Sequence, residues 1–160
     1  MAGEIETRMT AAGIALPEPK APVANYVPFV ITGNLLFVSG QVSMGAGRPI
    51  TGQLDGSDNL DAPTDRLAEA QGAARISGLN MLAQVKAALG DLDRVARVVK
   101  LLGFVNSAAD FTKQPVVVNG CSDLMVEVFG DKGRHARSAV GVSALPLGVM
   151  VEVEGIFEIA

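Results

Sequence analysis

Tryptophan is absent from the 160 residues, and cysteine, histidine and tyrosine occur once each, as Cys121, His135 and Tyr26. A single thiol cannot close an internal disulfide. One thiol with one imidazole also falls short of the ligand cluster that zinc, haem or an iron–sulfur centre needs, so no metal site of that kind is expected. With only six Phe besides the one Tyr, the core must be built from Ala, Val, Leu and Gly, which favours close backbone packing. Net positive charge is missing too: 13 Lys and Arg against 17 Asp and Glu leave a formal charge of -4. That is the wrong sign for binding by phosphate neutralisation, so nucleic acid is not an expected partner. No apolar run approaches the roughly 20 residues of a spanning helix. The start Met1-Ala2-Gly3-Glu4 lacks the basic and apolar segments of a secretory signal. The expectation is a cytoplasmic protein with no membrane partner.

What is present suits a single folded domain over residues 1–160: 49% of residues are apolar and 19% charged, and one core can form at this length. Ile5, Met9 and Ala12 have helical spacing and precede Gly13, which predicts a short surface helix inside an N-terminal extension of residues 1–21 that ends in a Pro-rich segment, Pro17 to Pro22. Tyr26 to Ile31 and Leu35 to Ser39 flank the turn dipeptide Gly33-Asn34, the mark of an antiparallel hairpin. Residues 45–65 are polar and rich in Gly, Pro and Asp, which predicts a long surface flap or mobile loop.

A long helix then runs from an N-cap at Thr64 or Asp65 to a stop at Gly90, with Leu67, Ala70, Ala74, Met81, Leu82, Val85 and Leu89 on one stripe. Gly72 and Gly78 inside it point to close approach to a sheet, and Ile76 falls off the stripe. Val95 to Val105 is apolar almost throughout and reads as a central strand covered on both faces. Val117, Cys121, Leu124, Met125 and Val128 mark a second helix between Pro115 and Gly130. Ser138 to Val142 is a short strand. Val149 to Ile159 alternates, placing Val149, Val151, Val153, Phe157 and Ile159 on one face and Met150, Glu152, Glu154 and Glu158 on the other. The order hairpin, helix, strand, helix, hairpin predicts an α+β layer, two helices on one face of a mixed or antiparallel sheet. The other face then has no cover within the chain, and a homo-oligomer is expected.

Arg134 and Arg137 stand at the entry to the Ser138 strand. A guanidinium there can hold a carboxylate in a bidentate fork, or can serve as an ordinary surface cation. Leu145-Pro146 is read as the turn that returns the last strand beside Ser138 to Val142, which would set Glu152 near Arg137 on neighbouring strands. Glu152 would then either position water and move a proton, or simply pair with the arginine. Tyr26 offers a hydroxyl to a substrate or merely packs in its hairpin. Cys121 lies on the apolar stripe of its helix and reads as core, and His135 has no partner arrangement for a triad.

Asn25-Tyr26-Val27, Gly33-Asn34-Leu35-Leu36-Phe37-Val38-Ser39-Gly40-Gln41, Arg137-Ser138-Ala139-Val140, Leu145-Pro146 and Val151-Glu152-Val153-Glu154 occur in this order. Together they resemble the Rid family of reactive imine and enamine deaminases, also known as the YjgF or L-PSP endoribonuclease family. The likeness spans about residues 22–159. It implies a chorismate-mutase-like fold assembled as a homotrimer, with clefts between subunits that take a small carboxylate-bearing ligand and need no cofactor. It further implies that Arg137 grips the carboxylate of a 2-imino or 2-enamino acid and that Glu152 orients the hydrolytic water. Tyr26 and Ser39 would contribute to the pocket. Asn119 is the nearest candidate for the family's helix-borne asparagine, and Ala139 stands where the family often has cysteine. The N-terminal extension and the long loop mark a longer, divergent branch, and His135 and Arg134 replace smaller or apolar residues. Two functions follow: hydrolytic deamination to a 2-oxo acid and ammonia, or trimeric small-carboxylate binding without turnover.

Overall fold

In the computed structural model, which describes residues 3–21, 24–59, 61 and 65–160, the two long helices bury the stripes that their spacing predicts, whereas Ala12 of the short first helix's stripe is exposed. Pro22 and Thr64 lie outside the described residues. Helix α1 (Glu4–Ala11) buries Ile5 and Met9. Its preceding residue, Gly3, has no side chain to cap the free N–H groups of the first turn. The carboxylate of Asp93 does so from the far end of the sequence, accepting from the Glu4 N–H at 2.7 Å and the Ile5 N–H at 2.8 Å. These N–H groups, Ile5 first, hold the Asp93 carboxyl below the usual range. Because its folded pKa is depressed, the contribution is complete above the ordinary carboxylate range and is lost as pH falls through the folded value. Asp93→Ala should therefore lower Tm at neutral pH and speed tryptic cleavage after Arg8, and the difference from wild type should shrink in acid.

Strands β1 (Phe29–Thr32) and β2 (Leu35–Val42) form the expected hairpin, with Gly33 at φ +57 in its turn. The long connection that follows is more anchored than its composition suggests. β3 (Met44–Gly45) and β4 (Arg48–Pro49) pair as a second small hairpin. Leu54 is fully buried and bridges to Ser107. Asp58, only 2% exposed, faces Arg66 at 3.4 Å. Helix α2 (Arg66–Leu89) ends at Gly90 in the left-handed region, as its sequence predicts. The off-stripe Ile76 packs over Gly45 of β3. Gly78 corrects the expectation of close approach to the sheet, because the close neighbour is a helix: a methyl there would sit 2.9 Å from Leu124 and 3.0 Å from Cys121, both on α3. A methyl added at Gly72 would meet no neighbouring element within 4 Å, so close approach does not explain that glycine.

β5 (Val95–Asn106), α3 (Gln114–Phe129), β6 (Ala136–Val142) and β7 (Val151–Ile159) complete the main sheet in the order β1-β2-β7-β5-β6. Only β5 and β6 run parallel. The chain is thus α+β with a mixed sheet, α2 and α3 covering one face. Two readings need correction. β7 does not return beside β6; it inserts between β2 and β5, which offer it two antiparallel edges, while the α3 crossover carries β6 to the outside of β5. β5 is also not covered on both faces. Val95, Val98, Leu101 and Val105 are buried against the helices, whereas Arg97 and Lys100 are exposed and Leu102 and Phe104 half-buried on the other side. The register sets two apolar groups on that second face: Val30, Phe37 and Ile156 side by side on β1, β2 and β7, and Phe104 beside Val140 on β5 and β6 with Leu102 next to them, while Lys100 continues the first row and Glu152 and Glu154 flank the second group. Val30 is 51% exposed, Val140 42% and Phe37 39%.

Candidate functional site

Arg137 is the second residue of β6 and is directed toward the helices, since its register partner Leu101 is buried on that side. On α3, Asn119 and Ser122 are three residues apart and share a face. Both accept from Arg137: Nη1 donates to Asn119 Oδ1 at 2.8 Å and to Ser122 Oγ at 3.1 Å. The two hydrogens of Nη1 are thereby committed, leaving the Nε and Nη2 edge without a partner among the described residues. No carboxylate among them lies within ion-pair distance of this half-buried guanidinium. A planar cation with one edge satisfied and the parallel-donor edge open is a fork for a carboxylate. Asn119, the candidate for the family's helix-borne asparagine, thus touches Arg137 directly, and Ala139, two residues along on the same face, packs against the core.

Arg134 takes no part in this site. It is 74% exposed and faces Asp131 at 3.3 Å, an ordinary surface pair. Cys121 is fully buried and its thiol is pushed up to about 12 by burial, with the Arg137 charge pulling the other way, so it is core and no nucleophile. His135 is half-buried and does have a serine neighbour, Ser122 Oγ, at 2.9 Å. Ser122 and His135 are the site residues that motif reading missed. The sequence signal for Ser122 was its three-residue step from Asn119 on a helix, and for His135 its place two residues before Arg137, just ahead of the strand.

Glu152 lies elsewhere. β7 and β6 are separated by β5, and the register runs from Glu152 to Phe104 to Val140 on the face opposite Arg137. Two inter-strand spacings of about 4.8 Å and the thickness of the sheet part the two side chains. The expected adjacency of Glu152 and Arg137 on neighbouring strands therefore does not occur within one chain. Glu152 gathers a different set. It sits against Gly40, where β2 bulges between Val38 and Gln41 and where an added methyl would overlap its carboxylate. Burial, and then repulsion from Glu154 on the same face, raise the Glu152 pKa above the ordinary carboxyl value.

Beside Gly40, Ser39 Oγ donates to the Val27 carbonyl at 2.8 Å and the Ser39 N–H to the Pro28 carbonyl at 2.9 Å. These bonds tie the 24–28 segment along the edge of β2 that β1 does not reach. Tyr26 rides on that segment and is 54% exposed. Tyr26 and Gly40 line a cavity of about 240 Å³ together with Glu18, Pro19 and Lys20 of the N-terminal extension. The expected site residues thus fall into two half-sites: Arg137, Asn119 and Ala139 on the helix side of β6, and, around β2, Glu152 against Gly40, next in sequence to Ser39, with Tyr26 on a cavity that Gly40 lines and Glu152 does not. Among the described residues, no three His, Cys, Asp or Glu side chains converge as a metal site, and no helix is long and apolar enough to cross a membrane.

Comparison with known proteins agrees with this architecture. The chain is 48% identical over 159 residues to Protein TCP17 of Trypanosoma cruzi, covering 98% of this chain and 95% of that protein. A crystal structure of an Agrobacterium tumefaciens protein of unknown function superposes with a TM-score of 0.84 at 48% identity, over 98% of this chain and 92% of the other. The crystal structure of RidA from an Antarctic Psychrobacter is more distant, with a TM-score of 0.60 at 26% identity over 89% and 94% of the two chains. The family model described as "YjgF/chorismate_mutase-like, putative endoribonuclease" matches residues 6–158. With that match over nearly its whole length, and with the mixed sheet and paired helices just described, the chain belongs to the YjgF/chorismate-mutase-like family, which the Rid proteins share.

Proposed function

We propose that the protein hydrolyses reactive 2-imino and 2-enamino acids to 2-oxo acids and ammonia, in clefts between the subunits of a homotrimer. The observation that carries this reading is the open Nε and Nη2 edge of Arg137, a half-buried cation with no carboxylate partner among the described residues. Unsatisfied charge of this kind is costly to keep unless a ligand completes it. The separation of the two half-sites supports the subunit seam. Glu152 lies on the sheet face that no described element of the chain covers, beside Phe104 and near other exposed apolar side chains that a second copy would bury. In the proposed cleft, Arg137 of one subunit holds the substrate carboxylate and Glu152 of the partner subunit orients a water.

The chemistry requires little more than placement. A protonated imine carbon is already electrophilic. As the water oxygen bonds to it, the π electrons move to nitrogen and the water gives a proton to the Glu152 carboxylate. The glutamic acid then returns that proton to the nitrogen of the tetrahedral carbinolamine. The C–N bond breaks, ammonia departs, and loss of the hydroxyl proton leaves the 2-oxo acid. No redox change or external co-reactant is involved.

The test is to generate 2-iminopropanoate and bulkier analogues in situ from amino acids and follow their decay with and without protein. Faster decay with protein is expected; equal decay would reject the reading for those substrates. The pH profile adds a second arm. Glu152 must be ionised to accept a proton, so its raised pKa places the acid limb of kcat above that of an ordinary carboxyl. Glu154→Gln removes the charge that, after burial, raises it, and the limb should move to lower pH.

A further inference from the structure

His135, Ser122 and the Gly133 carbonyl form a hydrogen-bonded chain that ends on Arg137, and its direction can be fixed donor by donor. A carbonyl only accepts, so the 2.6 Å contact between Gly133 O and His135 Nδ1 puts the ring hydrogen on Nδ1. The neutral ring then offers a lone pair at Nε2, and the Ser122 hydroxyl donates to it at 2.9 Å. With its hydrogen committed there, Ser122 turns oxygen lone pairs toward the guanidinium and accepts from Nη1 at 3.1 Å. The start of the chain is held in place by packing. Gly133 is buried, and a methyl on it would overlap the Met125 carbonyl of α3, so its backbone has nowhere to shift. Burial, opposed by the Gly133 bond and reinforced by the Arg137 charge, favours the neutral ring that this arrangement needs.

From this geometry we propose that Ser122 and His135 are positioning residues for the carboxylate fork. Together with Asn119 they occupy both hydrogens of Nη1, so that only the Nε and Nη2 edge of Arg137 faces a ligand, in one fixed orientation. The proposal rests on the reading of Arg137 as the carboxylate holder and adds how the site fixes the angle at which the carboxylate is received. A guanidinium anchored at one of two adjacent nitrogens loses little further freedom on binding, and that is where affinity is gained.

The test uses the full-length protein and pyruvate as probe. Ser122→Ala and His135→Phe should each raise the Kd for pyruvate about tenfold, the scale of one hydrogen bond to a charged group. Ser122→Thr, which keeps the hydroxyl, should restore it. In turnover assays of Ser122→Ala the loss should appear in KM and leave kcat near wild type, a split that general loosening of the fold does not produce. A wild-type Kd retained in Ser122→Ala would overturn the proposal.

A second arm is independent of any ligand. Because His135 is the sole histidine, its ring nitrogens give one assignable pair of 15N resonances. The Nδ1–H tautomer is expected, with slow rotation of the Arg137 Nη1 group that becomes fast in Ser122→Ala. The Nε2–H tautomer, or rotation indifferent to Ser122→Ala, would overturn the positioning role. If pyruvate fails to bind wild type while these NMR signatures hold, the carboxylate reading of Arg137 falls and the hydrogen-bonded chain stands.

Discussion

Arg137→Ala should lower kcat/KM for imine hydrolysis by about two to three orders of magnitude and abolish measurable pyruvate binding, because it removes both donors of a bidentate, charge-assisted contact. Arg137→Lys keeps the charge but presents a single point of donation, so it should recover only a minor part of the loss. The effect on folding should be small in comparison. The wild-type guanidinium has no carboxylate among the described residues to leave stranded, and Asn119 and Ser122 are half-buried with water able to replace one bond each. Thermal melts of the variants alongside steady-state assays separate the two effects. Arg137→Ala as active as wild type would mean that the carboxylate is held elsewhere.

How far the sequence reached depended on whether each feature was local. The 24 residues of α2 and the alternation of β7 were legible because one surface of each is buried continuously, which imposes a period of 3.6 or 2. The partner of β7 was not legible. A Leu-Pro turn between consecutive strands suggests a hairpin, yet nothing in the turn records that α3 has already set β6 parallel to β5 on its outer side. From that one misplacement followed the mistaken meeting of Glu152 and Arg137. The anchoring of the 45–65 connection was hidden for a different reason: it depends on a single buried Leu54 and a single buried Asp58 in a stretch otherwise composed like a free loop. At the site, Arg137 is a candidate fork by its place at a strand entry and Asn119 by the family resemblance, whereas the contacts of Ser122 with His135 and Arg137 join α3 to the segment entering β6, and spacing along either one does not show that they meet.

The same correction yields a sharper expectation for catalysis. Glu152→Gln should depress kcat by about two to four orders of magnitude, the range for a positioned acid–base group, while the Kd for pyruvate stays near wild type. Loss of turnover with ligand binding retained is also what distinguishes an enzyme from a binding protein using the same fork. Suppose equal amounts of Arg137→Ala and Glu152→Gln protein are unfolded together, refolded and allowed to assemble at random. A cleft built in trans is intact when its Arg137 comes from a Glu152→Gln chain and its Glu152 from an Arg137→Ala chain, which happens in about a quarter of the clefts. Activity should therefore return to about a quarter of wild type from two nearly inactive parents. If both residues acted within one chain, every chain in the mixture would carry one defect and no activity would return. The opposite-face placement of Arg137 and Glu152 favours the first outcome, and a mixture as inactive as its parents would place the reacting carbon somewhere other than a seam between subunits.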